Sequence, residues 1–283
     1  MTLCTPRLVA RALGRGVLLT LLALGLGCQK PAGFRASGAP AVREPHNAMR
    51  GASPEAGLVK RGVELLQQGD CRAAIAQAFD PAIAIYQSMA AMPDTTFVYS
   101  RGGRFGAAAG LTAALLNVQP KNVADGALEG IPNRTIRMSG PDFPDSLYFK
   151  GYCLSELGDI EGARAAVNAA LVLMPGDPMY LCELGDQAQR RQEWEPAMEV
   201  FREAQESARL LAVENDVAAS PLGRPPVLWQ TRALRGIGYS LIELRRLDES
   251  EEVYREVLRL DPNDAKAKQE LEYIATLRTP PEQ

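Results

Sequence analysis

Side chains that could carry chemistry are few in this sequence. His46 is the single histidine among 283 residues, and it lies in a stretch rich in Pro, Gly and Ala. Catalytic triads and Cys–His pairs need an imidazole at the reacting centre, and multi-histidine metal sites need several. The sequence therefore predicts no catalytic residue, no metal site and no cofactor.

Two other patterns could be taken for reactive sites. The glycine cluster at residues 102–106 lacks the Gly-Lys-Ser/Thr ending of a phosphate loop, and no strand is predicted before it. Neighbouring carboxylates such as Glu193/Glu195 and Glu251/Glu252 lie at predicted helix starts, where acidic side chains interact favourably with the helix dipole. Both patterns therefore favour structure over catalysis, and we expect no enzyme activity.

Three cysteines lie in the part of the chain predicted to be helical. Cys153 and Cys182 fall on neighbouring predicted helices, so a disulfide between them is one alternative in an oxidising compartment. The other alternative is that both, like Cys71, are buried as small apolar side chains.

Composition favours a helical protein and argues against nucleic acid as a partner. Hydrophobic residues make up 46% of the chain and aromatic residues 6%, and the formal net charge is −3. Nucleic-acid binders usually carry clustered excess Lys and Arg. Residues 145–283 contain 16 Lys and Arg against 25 Asp and Glu. This acidity indicates either solvated helix faces of mixed charge or a cationic partner.

The amino terminus has the pattern of an export signal. Residues 1–16 contain three arginines and no acid, and residues 17–26 form an apolar run that is too short to span a bilayer. We expect a signal peptide at 1–27 and a flexible, Pro- and Gly-containing tether at 28–53.

The end of this signal resembles the lipobox of bacterial lipoproteins. Gly25-Leu26-Gly27-Cys28 places a small residue before a cysteine, although Gly25 stands where the family usually has Leu. The resemblance implies that Cys28 receives the lipid and becomes the first residue. Gln29 would then favour the outer membrane, with the protein on its periplasmic side. The alternative is ordinary cleavage that releases a soluble periplasmic protein.

The body of the chain repeats with a period of 34 residues. Residues 144–177 align with residues 178–211, and residues 231–264 form a third unit after an insertion at 212–230. In each unit the apolar positions have helical spacing on both sides of a turn. The period therefore predicts helix–turn–helix hairpins.

Small residues recur at matching positions in these units. Gly151, Gly185 and Gly238 fall in the middle of the first helix, where Gly costs about 1 kcal/mol relative to Ala. Ala163 and Ala197 occupy matching places on the second helix. The pattern predicts that the two helices of each unit cross too closely for a larger side chain.

These units resemble tetratricopeptide repeats, and the chain as a whole resembles the tetratricopeptide repeat lipoproteins of Gram-negative bacteria. The resemblance implies an all-α solenoid of antiparallel helix pairs with a capping helix at the C-terminal end of the array.

Further boundaries complete the predicted organisation. Residues 54–143 form a degenerate helical part, with a helix break at Asp80 before Pro81, a helix at 97–118 and one short helix plus loop at 121–143. The third unit and the capping helix span 231–277, and residues 278–283 form a tail. The second helix of the second unit is predicted at 195–219.

In this family the first helices line a concave groove, so the resemblance implies a protein–protein interaction scaffold that binds a protein or peptide there. The matching positions mix Tyr and Arg, which are frequent at binding hot spots, with acidic residues. They are Asp145, Tyr148, Tyr152, Ser155, Glu156, Met179, Cys182, Asp186, Gln189, Arg190, Arg232, Arg235, Tyr239 and Glu243. The alternative is an envelope enzyme or small-ligand-binding protein that uses a pocket between residues 121–143 and the repeats.

Overall fold

The computed structural model describes residues 54–91, 95–101, 135–214, 222 and 224–279. The predicted signal peptide, Cys28, the tether and the glycine cluster at 102–106 lie outside these residues. So do residues 121–134 of the predicted loop region.

Helices dominate the described part of the chain, and most of them form consecutive pairs. The helices are α1 Pro54–Gln67, α2 Cys71–Ala74, α3 Asp80–Ala90, α4 Asp142–Glu156, α5 Ile160–Leu173, α6 Pro178–Arg190, α7 Trp194–Glu214, α8 Pro226–Glu243, α9 Leu247–Leu260 and α10 Ala265–Arg278. The pairs α4/α5, α6/α7 and α8/α9 correspond to the three predicted repeat units. Helix α10 packs on α9 in the place predicted for the capping helix.

Aspartates and glycines mark the helix boundaries in these units. Helices α5, α6 and α10 begin after Asp159, Asp177 and Asp264, whose carboxylates each accept backbone N–H bonds from the first turn. Gly158 and Gly176 end the preceding helices with φ angles of 87° and 76°. A residue with a side chain is strained at such positive φ angles, so glycine is the residue that suits these two turns.

The predicted close crossing of each helix pair is confirmed. A Cβ atom added to the mid-helix glycine of each unit would lie 2.7 to 2.8 Å from a side chain of the second helix. The glycine and that neighbour are Gly151 with Val167, Gly185 with Phe201 and Gly238 with Tyr254.

Phe201 also joins the second unit to the third. Its ring is fully buried between Gly185 on α6 and Gly236 on α8, and a Cβ added to Gly236 would lie 2.5 Å from the ring. The third unit therefore packs directly on the second, despite the insertion between them.

The expectation of an all-α fold is corrected by a small sheet. Strand β1, Thr95–Tyr99, pairs in parallel with β2, Thr135–Ser139, with Thr95 opposite Thr135. Residues 97–99 therefore belong to a strand instead of the predicted helix, and 135–139 to a strand instead of a short helix plus loop. The reason is local, because Thr-Thr-Phe-Val-Tyr is β-branched and aromatic throughout. A strand also precedes the glycine cluster, contrary to the prediction.

The predicted helix break at Asp80 is also wrong. A π-helical segment, Ile75–Phe79, connects α2 to α3, and the N–H of Asp80 donates to the carbonyl of Ile75. The chain is already helical before Pro81, so the ring and the missing N–H of this proline would disturb a regular α-helix at this point. The wider turn before it accommodates both, so the chain stays helical from Cys71 to Ala90.

The three described cysteines are buried and free. Cys153 and Cys182 do not form the disulfide that was one of the two alternatives, and both are fully buried. Burial raises the pKa of Cys182 to about 12. These thiols act as small apolar side chains.

The packing around Phe201 generates a stability prediction. Gly185→Ala and Gly236→Ala should each lower the free energy of unfolding by about 1–2 kcal/mol, because overpacking outweighs the helix propensity gained with Ala. The Phe201 ring has little room to move away, because it is fully buried and lies close to glycines of two different helices. Gly57→Ala on α1 is the matched control, because an added Cβ there meets no atom within 4 Å.

Chemical denaturation followed by circular dichroism measures these effects. We expect Phe201→Leu to recover part of the stability lost in Gly236→Ala. If Gly236→Ala were as stable as Gly57→Ala, the close contact with Phe201 would not exist.

Candidate functional site

A buried arginine connects the N-terminal ends of the first helices of the first two units. Arg101 follows β1, and its side chain is 8% exposed. Its Nη1 and Nη2 donate to Asp145 at the start of α4, at 3.0 and 2.5 Å, and its Nε donates to Asp177 before α6 at 2.7 Å. The guanidinium group therefore joins the sheet to the N-terminal ends of two helices.

Tyr180 completes this cluster. Its hydroxyl donates to Asp145 at 2.6 Å and accepts from Arg101 at 3.1 Å, and its ring centroid lies 5.4 Å from the guanidinium carbon. Burial raises the pKa of Asp177, and Arg101 opposes that shift only in part. Burial alone would lower the pKa of Arg101, but Asp177 and Asp145 raise it overall. Asp145 and Asp177 therefore both form ion pairs with Arg101, and their role is structural.

Five of the predicted groove residues are buried in this structure, and the role of the whole set in binding a partner stays a prediction. Asp145 binds Arg101, and Tyr148 stacks on Tyr180 with ring centroids 5.3 Å apart. Ser155, on the same helix as Tyr148, is also buried, and so are two of the predicted groove residues on α6. The five buried residues are Asp145, Tyr148, Ser155, Met179 and Cys182.

The remaining nine predicted residues are accessible and lie along α4, α6 and α8. They are Tyr152, Glu156, Asp186, Gln189, Arg190, Arg232, Arg235, Tyr239 and Glu243. We call this surface the groove face. Its role in binding is not tested by their position alone, so it stays a prediction.

Polar contacts connect the helices of the groove face. Arg190 on α6 pairs with Glu156 on α4 at 2.8 Å, and Arg232 on α8 pairs with Asp186 on α6 at 2.6 Å. The amide of Gln189 donates to the carbonyl of Gly236 at 2.7 Å. The first helices of the three units therefore form one continuous polar surface.

A cleft of about 150 Å³ opens at the start of α8. Arg224, Leu228 and Trp229 line it together with Thr231, Arg232 and Arg235. The guanidinium carbon of Arg232 lies 5.8 Å from the centroid of Trp229. Sequence reasoning missed Arg224 and Leu228 because it assigned them to the insertion, where the repeat pattern offers no signal.

An aromatic and acidic cluster lies further along the same helix. Trp194 packs edge-on against Tyr239 with ring centroids 6.0 Å apart. Burial, followed by Glu243 and Glu270, raises the pKa of Tyr239, and Tyr273 contributes as well. The cluster joins three helices, because Trp194 belongs to α7, Tyr239 and Glu243 to α8, and Glu270 and Tyr273 to α10. The two residues of α10 are not among the predicted groove residues.

Glu183 is the most deeply buried acid on α6. Burial raises its pKa, and the nearest cation, Nη2 of Arg232, lies 3.8 Å away. Gln187 donates to it at 3.4 Å, while the Oε1 atom of Gln187 has no hydrogen-bond partner.

Neither a metal site nor a membrane span is found where the structure can be described. The residues within 54–279 that the structure describes contain no group of three His, Cys, Asp or Glu side chains able to hold a metal ion. Among the same residues, no helix combines the length and the apolar composition needed to cross a bilayer.

Comparisons with known families identify the repeats. Family models of the tetratricopeptide repeat match residues 125–178 and 232–264. Together with the stacked helix pairs, these matches show that the chain contains tetratricopeptide repeats. Such repeats mediate binding to proteins or peptides, and proteins built from them are typically non-catalytic scaffolds.

The solved structures that resemble this chain are distant from it in sequence. MamA from Desulfovibrio magneticus RS-1 is 15% identical with a TM-score of 0.44, and the match covers 80% of this chain and 86% of that chain. The first repeat domain of human RPAP3 is 21% identical with a TM-score of 0.38, covering 48% and 93%.

The first repeat domain of Spaghetti (RPAP3), in a complex with the HSP90 peptide SRMEEVD, is 21% identical with a TM-score of 0.34, covering 47% and 94%. No curated protein sequence matches the chain.

The Arg101 cluster generates the next prediction. Arg101→Ala should lower the free energy of unfolding by about 3–5 kcal/mol, because it leaves Asp145 and Asp177 buried without a cation. Arg101→Lys should recover part of this loss, since one ammonium cannot donate to both carboxylates as the guanidinium does.

Arg209→Ala serves as the control, because Arg209 forms an exposed pair with Glu206 on the same helix. Urea denaturation of the three variants measures the differences. Equal stability of Arg101→Ala and Arg209→Ala would show that the cluster does not hold the sheet to the repeats.

Proposed function

We propose that this protein is a non-catalytic interaction scaffold of the bacterial cell envelope that binds a protein or peptide partner on the groove face. The observation that carries the proposal is the alignment of accessible Tyr, Arg and acidic side chains from α4, α6 and α8 on one surface. Tyr and Arg provide large contact area and several donors at moderate entropic cost.

The envelope location is part of the proposal and rests on the sequence. The basic, then apolar, amino-terminal stretch and the cysteine at position 28 support export and lipid attachment. The lipid would hold the repeats on the periplasmic side of a membrane, in the outer membrane by the resemblance at Gln29. A flexible tether of about 26 residues would let them move on the order of 30 Å from the bilayer.

Partner capture in the native host tests the groove face. Arg190→Ala/Tyr239→Ala/Glu243→Ala removes three accessible side chains without disturbing the buried cluster. Because these side chains contribute contact area and charge, a defined set of crosslinked proteins recovered with the wild type should fall at least about tenfold with the triple variant.

A control variant has three exposed changes on the second helices, Arg202→Ala/Glu252→Ala/Arg259→Ala. It should recover the same proteins as the wild type. Identical recovery with both variants would place the interaction elsewhere on the chain.

Metabolic labelling tests the anchor separately. With an alkyne-tagged fatty acid, the wild type should be labelled and found in the membrane fraction, because the lipid is attached at Cys28. Cys28→Ser should lose both the label and the membrane association, whereas Cys4→Ser, within the predicted signal peptide, should keep them. An unlabelled wild type in the soluble periplasmic fraction would contradict the lipid anchor.

A further inference from the structure

The exposed face of α8 carries opposite charges at its two ends. Leu228, Arg232, Arg235, Tyr239 and Glu243 follow one another at intervals of three or four residues, so they lie on one side of the helix. The first three line the cleft, and the last two belong to the aromatic and acidic cluster. A ligand that lies along this helix therefore meets both kinds of surface.

The arginines at the cleft end of α8 have N–H donors that their ion pairs do not use. Arg224 is exposed and forms no ion pair with any residue that the structure describes. Arg232 contacts Asp186 through Nη2, and Arg235 contacts Asp264 through Nη1. Since a guanidinium group has five N–H donors, both arginines keep donors for a carboxylate in the cleft. Leu228, 39% exposed, adds an apolar wall.

The acidic end has unneutralised carboxylates beside aromatic rings. Glu243 and Glu270 form no ion pair within the described ranges of the chain. Tyr239 and Tyr273 are 41% and 50% exposed, and Trp194 packs against the first of them. Carboxylates next to accessible aromatic faces favour a Lys or Arg side chain, through ion pairing and cation–π contact.

The separation of the two ends sets the length of the ligand. Tyr239 and Glu243 lie seven and eleven positions after Arg232, which is about 10 to 16 Å along a helix that rises 1.5 Å per residue. An extended peptide covers this distance with about three to five residues.

We propose that the groove face of α8 binds an extended peptide segment in which an Asp or Glu side chain and a Lys or Arg side chain lie three to five residues apart. The acidic side chain binds in the cleft beside Arg232 and Arg224, and the basic side chain binds at Tyr239 and Glu243. This inference rests on the proposed function and adds the chemistry of the partner. A purely acidic segment meets repulsion at one end, and a purely basic segment meets it at the other.

Synthetic peptides and the purified full-length chain test this proposal. Fluorescence anisotropy compares three ten-residue peptides, acetylated and amidated, with Gly, Ser and Ala at the other positions. One carries two Glu and two Lys with three residues between the pairs, one carries four Glu, and one carries four Lys. The mixed peptide should bind at least about tenfold more tightly than either of the others, and the difference should shrink as salt is added.

Variants of the protein test which residues bind the acidic and the basic side chain of the peptide. Arg224→Glu should weaken binding of the mixed peptide about tenfold and strengthen binding of the basic peptide, because it reverses the unpaired charge. Tyr239→Ala/Tyr273→Ala should weaken the mixed and basic peptides. Arg259→Glu, a charge-matched change at an exposed position of α9, should alter none of them. All four positions are on the surface, and circular dichroism checks that each variant is folded.

Several outcomes would overturn the proposal. Equal affinity of the mixed peptide and one of the single-charge peptides would mean that only one end is recognised. If only a fourth peptide bound, the mixed sequence with a free C-terminal carboxylate, the cleft would recognise chain ends instead of side chains. No binding of any peptide would reject the recognition rule, whereas partner loss with Arg190→Ala/Tyr239→Ala/Glu243→Ala in cells would still support the interaction scaffold.

Discussion

The burial of the Phe201 ring between two glycines is the contact on which the alignment of the repeats depends. Gly185 and Gly236 belong to the first helices of successive units, and the ring on α7 touches both. The two first helices can therefore approach closely enough for Gln189 to bond the backbone of α8. Their exposed sides then form one surface. A side chain at either glycine would separate the helices and divide that surface.

A second constraint determines how much of this surface remains open. Asp145 and Asp177 lie at helix starts in a region that excludes water, and two carboxylates cannot stay charged there without a cation. Arg101 supplies that cation from the same chain. The ring of Tyr180 packs against its guanidinium group, and Tyr148 stacks on Tyr180. Part of the concave side predicted for the first unit is thus filled by the strand segment. The accessible surface shifts toward α6 and α8, where the charges are balanced less completely.

Whether a feature could be predicted depends on how far apart in the sequence its interacting residues lie. Turn residues such as Asp159 and Gly158, and the glycines at helix crossings, act on neighbours within one repeat, so a 34-residue period reveals them. The strand at 95–99 had a local β-branched and aromatic signal, but the surrounding helical pattern outweighed it in the prediction. Arg101 and Asp177 are 76 residues apart, and nothing in the spacing of either residue indicates that they meet.

The sequence by itself determined the repeat, the positions of its turns and the small residues that let its helices cross, because these are properties of local periodicity and chain conformation. The resemblance to the repeat family also predicted which side chains of each first helix line the groove. Only the tertiary structure decided which of those side chains are buried. That outcome depends on whether another part of the chain packs over them. Arg101 packs on Asp145 and buries it, whereas Tyr239 stays 41% exposed although Trp194 packs against its edge.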